Sequence, residues 1–92
     1  MRETAKIVRQ LSIFFLHGDV TAPAYAWLAE SVIAASDAYE HDDLLAEFAD
    51  HLASYSQTGG IGLFGDAELR RRAERLIKAL NVAASVHTTG SK

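Results

Sequence analysis

His41, Asp43, Glu47 and His51 cluster in the middle of the chain. In a sequence with no cysteine, imidazole nitrogens and carboxylate oxygens are the remaining ligands for zinc and other first-row metals. Glu47 and His51 are four residues apart and share a face if the segment is helical, with Asp43 one turn earlier. That geometry would permit a metal site. A di-iron bundle, however, needs paired Glu-x-x-His motifs on separate helices, whereas this spacing is Glu-x-x-x-His on one helix. A solvated helix face with one Glu–His pair accounts for the same residues, so no metal and no cofactor is expected. Ser12, Ser31, Ser36, Ser54 and Ser56 lack the strained strand-to-helix turn of a hydrolase nucleophile, and no catalytic residue is expected. The run Gly60-Ile61-Gly62-Leu63-Phe64-Gly65 spells G-x-G-x-x-G, but dinucleotide binding requires a preceding strand in a βαβ unit. A helix is expected to precede it. The glycines then serve a tight turn, with Ile61, Leu63 and Phe64 folding back onto the core.

Charge is the more informative pattern. Lysine and arginine occur only at the two ends, as Arg2, Lys6 and Arg9, then Arg70, Arg71, Arg72, Arg75, Lys78 and Lys92. The formal net charge of −3 therefore hides a middle of ten acids and no fixed cation: Asp19, Glu30, Asp37, Glu40, Asp42, Asp43, Glu47, Asp50, Asp66 and Glu68. Six of them, Asp37, Glu40, Asp42, Asp43, Glu47 and Asp50, fall within fourteen residues, and Asp43, Glu47 and Asp50 recur on one helical face. Such a face serves solubility or steers a cationic partner. Tyr39 and Tyr55 lie beside the carboxylates, and amphipathic aromatics among charges are typical of binding hot spots. These eight residues are the candidate partner-binding set. The basic stripe of residues 70–78 resembles a phosphate contact surface, but an isoelectric point of about 5.7 and the acidic middle oppose a polyanion. Those cations are expected to complement the C-terminus of the last helix and can pair with carboxylates of the second or third helix, and no nucleic-acid partner is expected.

The elements that must position these groups read as helices. At 92 residues the chain is expected to form one domain with a single core, over residues 1–84, followed by a polar tail at 85–92. Its most apolar run, Leu11 to Leu16, is far short of the roughly 20 residues that span a bilayer. No targeting segment or membrane partner is expected, and the absence of cysteine fits the cytoplasm. Periodicity predicts a first helix over about 3–17, with Ile7, Val8, Leu11, Phe14 and Phe15 inward and Gly18 as its left-handed cap. A second is predicted over about 22–39, capped by Thr21, with Tyr25, Leu28, Ala29, Val32, Ala35 and Tyr39 on one face. A third, over about 43–56, is capped by Asp42 and carries Leu44, Leu45, Phe48, Leu52 and Tyr55 inward. Asp66 is expected to cap a fourth over about 67–84, with Leu69, Ala73, Leu76, Ile77 and Leu80 in the core. The fold class is all-α, a compact antiparallel four-helix bundle.

The stretch Leu11-Ser12-Ile13-Phe14-Phe15-Leu16-His17-Gly18-Asp19-Val20-Thr21-Ala22, followed by Tyr25, resembles the opening of colicin D-type immunity proteins. Gly65-Asp66-Ala67-Glu68-Leu69, leading to Leu76 and Leu80, resembles the close of that family and of helical immunity proteins from contact-dependent inhibition systems. The resemblance implies an antitoxin that occupies the RNA-binding cleft of a basic nuclease toxin domain with carboxylates. The glycine-rich link and the arginine-rich last helix depart from that pattern. Two other readings fit the same charges: a self-associating module, in which the acidic middle of one copy meets the basic last helix of another, and a metal-binding bundle.

Overall fold

The computed structural model describes residues 2–58 and 60–90, with side chains as far as residue 84. Five helices follow one another: α1 (Glu3–Leu16), α2 (Ala22–Ala35), α3 (Ala38–His41), α4 (Asp43–Leu52) and α5 (Asp66–Gly90). No strand occurs among the described residues; Tyr55 and Phe64 form one isolated bridge. α1 packs against α2 and α5, while α2 also packs against α3 and α4.

α1 ends in a Schellman cap. The Gly18 N–H donates to the Phe15 carbonyl and the Asp19 N–H to that of Phe14, at 3.0 and 2.9 Å. Gly18 has φ +84°, a conformation that a Cβ would strain. Its last turn has no basic residue of its own, and α5 supplies one. Arg70 donates through Nη2 to the Leu16 carbonyl at 2.8 Å, and its guanidinium lies 5.5 Å from the Phe15 ring centre. A cation there opposes the negative end of the α1 dipole.

The expected second helix is two helices. The Ser36 hydroxyl donates to the Ile33 carbonyl at 3.0 Å and accepts from the Ala38 N–H at 3.1 Å, while its own backbone is extended. A serine that offers the backbone such local bonds competes with the helical ladder. The chain therefore breaks at Ser36-Asp37, and five helices replace the expected four. The third expected helix is shorter, because the chain leaves α4 at Leu52 and Tyr55 pairs with Phe64. Thr21 and Asp42 cap as expected. Thr21 Oγ1 accepts from Ala24 N–H at 3.3 Å, and Asp42 Oδ1 accepts from Leu44 and Leu45 at 3.1 and 3.2 Å. Asp66 instead begins α5 itself, with the Gly65 carbonyl accepting from Leu69 N–H. The backbone stays helical beyond residue 84 to Gly90; the side chains of 85–90, and residues 91–92 of the expected polar tail, lie outside the described residues.

The core joins α1, α2 and α4 through aromatics. Phe15 stacks on Tyr25 at 4.5 Å between ring centres, and Tyr25 meets Phe48 at 6.3 Å. Leu45, Leu52, Leu69, Ala73, Leu76 and Leu80 close it from α4 and α5. The α1 stripe is rotated from expectation. Ala5, Val8, Ser12 and Phe15 are buried, whereas Ile7 and Phe14 are 41 % and 42 % exposed. Apolar periodicity misplaced the face because Ser12, a polar residue, points inward. Its hydroxyl is satisfied there by the Val8 carbonyl at 2.8 Å and by the Tyr25 hydroxyl at 2.6 Å. On α2, Tyr25 and Ala29 are buried, Leu28 and Val32 are half-buried, and Ala35 and Trp27 are exposed.

Candidate functional site: an acidic surface on α3 and α4

Asp37, Glu40, Asp43, Glu47 and Asp50 are all exposed. After the break at Ser36 the chain turns so that α3 lies against α4. Tyr39 fixes that join, its exposed ring sending the hydroxyl to Asp50 Oδ1 at 2.6 Å. This bond, then the Asp50 charge, holds the Tyr39 phenol above its ordinary value. Asp42 is half-buried and spent as the α4 cap. Tyr55 is engaged elsewhere. Its ring packs on Phe64 at 6.0 Å and its hydroxyl donates to Asp66 Oδ1 at 2.6 Å. Burial first, and then Asp66, push the Tyr55 phenol up to about 12.

None of the five exposed acids is ion-paired with lysine or arginine among the described residues. The α5 arginines do not reach α2 or α4, contrary to expectation. Arg71, Arg72 and Arg75 converge on Glu68 at 2.9, 3.1 and 3.4 Å, and Arg70 serves the end of α1. Because α5 continues to Gly90, these cations sit in its N-terminal half and not in its final turns, contrary to expectation. Glu68 is the common partner of three of them. Hydrogen bonding from Arg71, joined by Arg72, holds its carboxyl below the usual range despite some desolvation.

His51 Nε2 lies 3.8 Å from Glu47 Oε1, beyond hydrogen-bond distance. Among the described residues, no three His, Asp or Glu side chains converge to hold a metal ion. The glycine loop follows a helix and a turn. Gly60 and Gly62 take φ +141° and +77°. Phe64 is half-buried beneath Arg72, whose guanidinium lies 4.3 Å from the ring centre. Ile61 and Leu63 do not fold back as expected: Ile61 is fully exposed and Leu63 is 44 % exposed. Three glycines among six residues let the tip project without a side chain to hold it inward. No described helix is long and apolar enough to cross a membrane.

One feature was not legible in the sequence. An open groove of about 190 Å³ lies between α4 and α5. Leu44, Phe48, Leu76 and Ala79 form its floor, Glu47 and His51 one wall, and Arg72 and Arg75 the other. The only sequence signal was the long link after α4, which frees α5 from close antiparallel packing on it. Compared with known proteins, the chain matches no family model, no curated protein and no solved structure.

Proposed function

We propose that this protein is a non-catalytic binding module that receives a cationic protein on its α3–α4 acidic surface. The observation that carries the reading is the uncompensated charge of Asp37, Glu40, Asp43, Glu47 and Asp50, which the arginines of the same chain leave unpaired. Repulsion among them is relieved when a partner supplies the cations. Among cationic partners, a basic nuclease toxin domain is the one that the resemblance to helical immunity proteins implies, with carboxylates standing in for RNA phosphates. The four longer helices would then act as a small helical bundle whose role is to present this face. The mechanism is occlusion of the partner's cleft.

Close charge pairs across such an interface couple by about 1.5–7 kcal/mol. The test compares wild-type protein with Asp43→Lys/Glu47→Lys as bait at low salt, with proteins identified as salt is raised. A basic nuclease domain held by the wild type, released by salt and lost with the double variant supports the proposal. Equal capture by both baits removes the acidic-face mechanism.

A further inference from the structure

The groove between α4 and α5 and the outer face of α1 are both unpartnered among the described residues, and they match in length, polarity and charge. The exposed residues of α1 include Glu3, Lys6, Ile7, Gln10 and Phe14, which fall on one side of the helix at spacings of three and four. Ile7 and Phe14 are the apolar members, seven residues apart, or about 10.5 Å along the axis. The groove runs from Leu44 to His51 on α4 and from Arg72 to Ala79 on α5. The ends of each wall are also seven residues apart, about 10.5 Å.

Charge completes the match. Glu47 stands on one wall with no lysine or arginine paired to it, while Lys6 on the α1 face forms no ion pair among the described residues. The opposite wall carries Arg72 and Arg75, both already paired with Glu68, so the charge match rests on Lys6 and Glu47. A helix presenting two apolar anchors at i and i+7 with flanking charge is a recurring way to fill a groove of this kind.

We infer that the α4–α5 groove receives α1 of a second copy of this chain, with Ile7 and Phe14 seated over Leu44, Phe48 and Leu76 and with Lys6 at Glu47. α1 cannot serve the groove of its own chain, because its buried side is packed on α2 and α5 and its exposed face points outward. The contact is therefore heterologous, and repetition gives a ring or an open-ended assembly. This differs from a meeting of the acidic middle with the α5 arginines, which are committed to Glu68 and to the end of α1.

Sedimentation velocity of the full chain over a concentration series tests the inference. At low salt the wild-type average mass should rise with concentration, and at about 1 M salt, where the Debye length is about 3 Å, it should fall toward the monomer. Lys6→Glu and Phe14→Gln, both at exposed positions, should each abolish the concentration dependence. The exchange K6E/E47K should restore it. A wild-type chain that remains monomeric throughout, association that survives F14Q, or an exchange that restores nothing overturns the inference. Lys6 and Phe14 lie outside the acidic surface, so K6E and F14Q should still capture a cationic partner. Failure of self-assembly therefore leaves the proposed function standing, and loss of partner capture in Asp43→Lys leaves self-assembly standing.

Discussion

Ser12 and Tyr25 form a buried polar pair whose energetics the geometry makes asymmetric. Both are fully buried, and Ser12 has one hydroxyl proton. The Ser12 Oγ donates to the Val8 carbonyl at 2.8 Å, so in the 2.6 Å contact the Tyr25 hydroxyl donates to Ser12. Ser12→Ala then leaves a buried phenol donor without an acceptor, at a cost of about 1–3 kcal/mol. Tyr25→Phe leaves the Ser12 donor satisfied and loses one ordinary hydrogen bond, about 0.5–1.5 kcal/mol. The double variant removes both polar atoms and should cost less than the two single variants together, with a coupling energy of about 1 kcal/mol. Chemical denaturation of the four proteins at neutral pH measures the cycle. Additivity within about 0.3–0.5 kcal/mol, or Tyr25→Phe costing more than Ser12→Ala, would refute the assignment.

The same pair predicts an alkaline limit. Burial pushes the Tyr25 phenol up to about 12. The unfolded chain ionises near its ordinary value of about 10 and so loses protons first as pH rises. The contribution of the neutral phenol is complete below pH about 10 and disappears as pH passes through about 12, a loss of about 3 kcal/mol. Tyr25→Phe should lack this component of the alkaline loss.

Two further outcomes follow from the caps and from the arginine cluster. Asp42→Ala should destabilise the fold by about 1 kcal/mol, whereas Asp42→Asn should hold stability near wild type because asparagine caps as well as aspartate; denaturation of both variants separates the cap from the charge, and an equal loss in both would place the effect in the charge. Glu68→Gln should lower the thermal midpoint at pH 7 by leaving three guanidinium groups with a neutral partner. Because the folded-state carboxyl is held low, that contribution is present above the usual carboxylate range and lost as pH falls through the folded value. The melting curves of wild type and variant should converge on acidification, and a gap that persists at low pH would contradict the role assigned to the Glu68 charge.

Much of the architecture was legible because it depends on local chemistry. Thr21 and Asp42 cap, Gly18 turns left-handed, and Leu69, Ala73, Leu76 and Leu80 repeat at helical spacing, and each acts through neighbours in the chain. The acidic surface was legible as composition, since an absence of cations over residues 10–69 needs no fold to be seen. What misled was polarity used as a proxy for burial. Ser12 faces the core because Tyr25 and Val8 satisfy its hydroxyl, and Ile7 and Phe14 yield their places to it. Tyr55 reads as part of the acidic face until Phe64 and Asp66 take it.

Helical class, the positions of two caps and the segregation of charge all follow from residue type and short spacing. Tertiary structure decided which charges are free. Glu68 gathers three arginines and Arg70 crosses to the end of α1, so the four arginines of the basic stripe are engaged elsewhere and the five exposed acids have no lysine or arginine partner among the described residues. It also decided that a groove lies between α4 and α5, because the placement of a helix is set by the side chains packed along its whole length and by the link that precedes it. Those are sums over distant contacts, and no local pattern in the chain contains them.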